Sequence, residues 1–100
     1  MAKLYIREYV KLAVDDMGKT VQAGQEPAVA SQVVTISGSS AQSVAFNTRT
    51  KFVRLHTDVI CSVEFEVNPT ATTSSPRMAA DDTWFPGVRG GDKVAVISNT

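Results

Sequence analysis

The sequence predicts an all-β fold, a small antiparallel β-sandwich of jelly-roll-like type with about eight short strands. Three observations carry that expectation. Apolar side chains recur at every second position in nearly every segment, as they do where a strand buries one face. Gly, Pro, Asn, Asp and Ser gather between those runs, where turns need them. No stretch of about a dozen residues holds a helical stripe, and the nearest, residues 11–19, contains an Asp-Asp-Met-Gly run that suits a hairpin turn better.

The elements follow in order. Leu4, Ile6, Val10 and Leu12 fall on even positions with Arg7 and Lys11 on odd ones, the pattern of a long half-buried strand. Asp15-Asp16-Met17-Gly18-Lys19 supplies a turn, and Val21 and Ala23 resume the alternation, so residues 3–23 read as an N-terminal hairpin or arm. The alternation lapses at Glu8-Tyr9-Val10, which marks a bulge. Residues 24–30, with Pro27, form a connector to the main sandwich, residues 31–98. There a strand at 32–37 turns at Gly38-Ser39-Ser40 and pairs back with 43–47, Val44 and Phe46 sharing a face. The strongest strands are 51–57 and 59–67. In the second, Cys61, Val63, Phe65 and Val67 oppose Ser62, Glu64 and Glu66. Residues 68–76 are a Thr- and Ser-rich loop, Thr83-Trp84-Phe85 a short strand, Arg89-Gly90-Gly91-Asp92 a tight turn, and 93–98 the last strand.

One hundred residues fit a single domain. Its 43% hydrophobic and 20% charged composition is that of an ordinary globular chain. The formal charge is +0 and scattered, so no basic stripe offers a nucleic-acid footprint. No apolar run approaches the ~20 residues that span a bilayer, and charges interrupt the opening residues too often for a secretory signal. A lone cysteine, Cys61, excludes an intrachain disulfide and a multi-cysteine metal site, so synthesis and folding in a reducing cytoplasm are expected.

Catalysis has no constellation to rest on: no catalytic, cofactor or metal residues are assigned, and the chain is expected not to be an enzyme. His56 is the single histidine, and Asp58 two residues on makes no catalytic pair by default, so a structural or surface role is expected. Cys61 sits on an apolar face and reads as core. Asp15-Asp16 and Asp81-Asp82 lack the alternating spacing of a calcium loop and read as solvated turns, with Asp81-Asp82 available for an inter-subunit ion pair. The glycines of Gly87-Val88-Arg89-Gly90-Gly91-Asp92 precede a strand, and turn chemistry accounts for them. Trp84-Phe85 is more informative: in an extended segment one of two adjacent aromatics points away from the core and can anchor a partner. Tyr5 and Tyr9 pose the same question.

Phe52-Val53-Arg54-Leu55-His56-Thr57-Asp58, Cys61-Ser62-Val63 and Asn68-Pro69-Thr70-Ala71-Thr72 together resemble small structural proteins of tailed bacteriophages. Met78-Ala79-Ala80, Phe85, Gly87, the closing Gly91-Asp92-Lys93-Val94-Ala95-Val96-Ile97 and the opening Met1-Ala2-Lys3-Leu4-Tyr5-Ile6-Arg7-Glu8-Tyr9 fit the same group. Glu64 and Glu66 depart from it by making one sheet face more acidic. The resemblance implies a capsid decoration or cement protein on the virion exterior, a trimer, whose partner is the major capsid protein. Multivalent attachment would turn modest single-site affinity into firm retention.

Interface residues expected on this basis are Lys3, Tyr5 and Arg7 in the first strand and Trp84, Phe85 and Arg89 near the end. The first nine residues are expected to be removable without loss of the fold. Alternatives are a head–tail connector or tail component, present in few copies, and a carbohydrate-binding module using Trp84 as a platform.

Overall fold

Period-two alternation in the opening segment seats it at the centre of a sheet. The computed structural model describes residues 2–99, apart from the side chains of residues 21 and 22. The described residues form ten strands: β1 (Lys3–Tyr9), β2 (Leu12–Val14), β3 (Thr20–Gly24), β4 (Ala30–Thr35), β5 (Ala41–Gln42), β6 (Phe52–Thr57), β7 (Cys61–Glu66), β8 (Arg77–Met78), β9 (Thr83–Trp84) and β10 (Lys93–Ser98). Eight of them form two four-stranded antiparallel sheets, ordered β4-β1-β6-β9 and β5-β10-β7-β8, while β2 and β3 make a separate hairpin. The all-β expectation holds.

Inward side chains from both sheets build one core: Leu4, Ile6, Val34, Ile36, Val53 and Leu55 from the first, Cys61, Val63, Met78, Val94 and Val96 from the second, with Phe46 between. Fully burying one such aliphatic side chain contributes about 1.5–3 kcal/mol, the main term holding the layers together. The pairings nest. β7 pairs β8, β6 pairs β9, β5 pairs β10, and β1 lies beside β4 in the outermost position.

Three expectations are corrected by this register. Residues 3–23 are not one hairpin: β1 is paired on both sides, by β4 and β6, and only β2 and β3 leave the sandwich. Leu4 and Ile6 are fully buried, so removing the first nine residues would remove a central strand and its core side chains. Residues 43–47 do not pair back on β4. The chain crosses to the other sheet, where the Ser43 and Phe46 amides donate to the Val94 and Asp92 carbonyls. Val44 and Phe46 therefore part company, with Phe46 in the core and Val44 in solvent.

The lapse at Glu8-Tyr9-Val10 also has a physical cause. Glu8 and Tyr9 point to opposite faces, yet both are buried, because the hairpin root folds over Tyr9. The irregular register falls later, between Leu12 and Val14. Glu8 faces inward and is capped by three donors: the Asn47 amide at 2.7 Å, the Thr50 hydroxyl at 2.8 Å and the Gln32 side-chain amide at 3.4 Å.

Candidate interaction surface

Strand alternation that sends Leu4, Ile6, Val53 and Leu55 inward sends their neighbours outward onto one continuous face. From β1 come Lys3, Tyr5, Arg7 and Tyr9, from β4 Ser31, Val33 and Thr35, and from β6 Phe52, Arg54 and His56. The antiparallel register sets them in rows. Tyr5 stands between Val33 and His56, Arg7 between Ser31 and Arg54, and Tyr9 opposite Phe52. Tyr5 is 41% exposed, Val33 52% and Phe85 62%, values high for residues of this size.

Two aromatic contacts stiffen the face. Tyr9 and Phe52 stack with ring centroids 5.2 Å apart, and Tyr5 leans on His56 at 6.4 Å. The hairpin root closes over this end of the sheet. Leu12, Ala23, Gly24, Phe52 and Phe85 border a cleft of about 340 Å³. The backbone of Gly24 lies so near the Tyr9 ring that a Cβ there would sit 2.5 Å from it.

Charge on the face is mostly cationic. The Arg7 guanidinium meets Glu26 at 2.8 Å, and the Tyr9 hydroxyl donates to the other Glu26 oxygen at 2.7 Å. The Tyr9 hydroxyl first, and then Arg7, hold the Glu26 carboxyl below its ordinary pKa. Arg54 lies across from Arg7 with no carboxylate partner among the described residues. Two guanidinia among Tyr and Phe side chains resemble the composition of protein-interface cores.

The opposite sheet is different. Glu64 and Glu66 face outward from β7, with Lys93 across from Glu66, whereas Ser62 on the same side is buried and its hydroxyl accepts from the Asn99 side-chain amide at 2.7 Å.

Of the residues expected at an interface, Lys3, Tyr5, Arg7 and Phe85 come together here. Trp84 does not. It lies opposite Leu55, packs against the core, and donates its indole N–H to Asp82 at 2.9 Å. Arg89 does not either. It sits in the turn before β10, where its Nε donates to Asp92 at 3.1 Å. Sequence reasoning passed over Val33, Arg54 and Glu26. For Arg54 the signal was present, because it alternates with the apolar Val53 and Leu55. Glu26 had none, because its role depends on the hairpin folding back.

One further cluster comes from register alone. His56 pairs with Thr83, so two residues on, Asp58 faces Asp81. The imidazole and both carboxylates lie within 4.8 Å of one another, a set that could hold a divalent cation. Thr83 Oγ1 fixes the His56 Nδ1 at 2.9 Å, and the Lys3 amide donates to Asp58. Asp81 holds φ at 59°, a left-handed conformation that Asp tolerates.

Cys61 is buried, as expected, and burial pushes its thiol pKa up, the opposite of what a nucleophile needs. No family model, curated protein or solved structure matches this chain.

Proposed function

We propose that this chain is a non-enzymatic virion structural protein that decorates a bacteriophage capsid, docking on the major capsid protein through the outer face of β4-β1-β6-β9. The observation that carries the docking is the row of exposed Tyr5, Val33 and Phe85 interleaved with Arg7 and Arg54 on a rigid sheet. Part of this face loses little conformational entropy on binding, because Arg7 is held by Glu26, Tyr5 leans on His56 and Tyr9 stacks on Phe52. Aromatic groups supply contact area and guanidinia supply direction, which suits an acidic or carbonyl-rich partner surface. The virion assignment is supported by the sequence resemblance, and the nested strand pairings support the jelly-roll-like reading of the sandwich.

Cryo-EM of the particle that contains this chain tests the proposal. Copies on the order of hundreds across the shell exterior, with Tyr5, Arg54 and Phe85 at the contact, are expected. A ring at one vertex or along the tail would overturn decoration in favour of a connector or tail component. Tyr5→Ser combined with Phe85→Ser should weaken retention on the shell while the thermal midpoint stays near that of the unmodified protein.

A further inference from the structure

β4 ends the first sheet, and among the described residues no other strand pairs with its outer edge. The Ile36 amide donates to the Ala2 carbonyl, which fixes the phase of the ladder between β1 and β4. Residues 32, 34 and 36 direct their backbone groups to β1, so residues 31, 33 and 35 direct theirs outward. Among the described residues, nothing bonds the outward N–H or C=O groups of Ser31, Val33 and Thr35.

Proteins blunt such edges with charge, proline, bulges or shortness. None of these devices is present here: Ser31-Gln32-Val33-Val34-Thr35 carries no charge and no proline, and the ladder is regular along it. The other three edges of the two four-stranded sheets, β9, β5 and β8, are two residues long each. Val44, 74% exposed, is held next to the same edge by the Gln32 side-chain amide, which bonds both its N–H and its C=O.

We propose that β4 pairs antiparallel with β4 of a second copy of this chain, about a two-fold axis through Val33. The segment is self-complementary in that register. Val33 meets Val33 of the other copy, and Ser31 meets its Thr35. Every outward backbone group of the edge then finds a partner, and no like charges are opposed. Within the two four-stranded sheets, the short β9, β5 and β8 offer no second long edge on which a head-to-tail ring could be built. The two-fold pairing, which uses one long edge twice, stands in place of the trimer that the sequence resemblance implies. It is independent of the capsid reading and leaves the outer face of the sheet, doubled in width, free for a partner.

Amide exchange on the intact protein, read at rising concentration, tests the pairing directly. Residues 32 and 34 should be protected throughout. Ser31, Val33 and Thr35 should gain protection by about tenfold or more as mass action fills the dimer, in step with a doubling of mass by sedimentation. Val33→Cys gives a second readout that does not depend on affinity. Opposed Cα atoms in a hydrogen-bonded antiparallel pair lie about 5.5 Å apart, within disulfide reach. Oxidation should link Val33→Cys copies, and the buried Cys61 should not interfere. Ser31→Cys should stay unlinked, since its two copies would lie about 14 Å apart along the strands. Three results would each overturn the proposal: equal cross-linking of both variants, dimers whose Ser31, Val33 and Thr35 amides stay unprotected, or a monomer at all concentrations. A monomer whose edge is protected only on the particle would assign the edge to another protein instead.

Discussion

Glu8 lies in the interior with no ion-pair partner among the described residues, and its carboxylate takes hydrogen bonds from Asn47, Thr50 and Gln32. It joins β1 and β4 to the loop that crosses between the sheets. Glu8→Ala strands those donors in a buried site and is expected to cost about 2–4 kcal/mol. Glu8→Gln keeps one oxygen for Asn47 and Thr50 and sets an amide against Gln32, so its cost should be nearer 1 kcal/mol. Urea midpoints for the two variants check the ordering. A larger loss for Gln than for Ala would mean that the amide set against Gln32 costs more than the stranded donors and the cavity together. At this scale the sequence was partly readable. Cys61 alternates with Val63 and Phe65, and its burial follows. That one of Trp84 and Phe85 must turn outward was also readable. Which one was not, because the answer depends on Trp84 landing opposite Leu55. The approach of Asp81 to His56 is set by the same pairing and leaves no local trace.

The hairpin of β2 and β3 rests on the sheet through two devices, and each has its own test. The first is the close approach of Gly24 to Tyr9. A methyl group there must push the ring from its stack on Phe52, so Gly24→Ala is expected to cost about 1–3 kcal/mol. The sandwich should persist, with exchange protection lost in residues 12–24 and a changed near-ultraviolet dichroism from Tyr9. The second is the Glu26 carboxylate, shared by Tyr9 and Arg7. Its folded pKa lies below the ordinary 4.5. The attachment is therefore fully present above that value and is lost as pH falls through the lower folded one. The Ala28 amide, which donates to the same carboxylate at 3.1 Å, should report the loss in an acid titration by NMR, and Glu26→Gln should abolish the transition. Legibility stopped at this element for a clear reason. Leu4, Ile6, Val10 and Leu12 alternate as one strand would. The break after Tyr9 arises because β4 and β6 both pair with β1, and those partners are far away in sequence.

Across the whole molecule, the nested pairings make β1 the partner that a strand following β10 would otherwise be. The ends of these two strands meet. Ala2 accepts from the Ile36 amide, and the Ser98 amide donates to the Ser37 carbonyl, so adjacent residues of one segment hold both. Joining residue 99 to residue 2 with a flexible linker of about six residues closes a short gap at small entropic cost. Opening the chain between Met17 and Gly18, at the exposed hairpin tip, cuts no strand of either four-stranded sheet. The order then runs from β3 through β10 to β1 and β2, and every nested pair is formed by a strand folding back on an earlier one. This permuted chain should fold to the same exchange-protection pattern in both sheets, with a urea midpoint lowered only by the loosened hairpin. Deleting residues 1–9 keeps the natural order but takes Leu4 and Ile6 from the core and leaves β4 and β6 without their shared neighbour, so that chain should not fold. The opposite outcome, a folded deletion and an unfolded permutant, would mean that the sandwich is organised around strand order and not around the position that β1 fills.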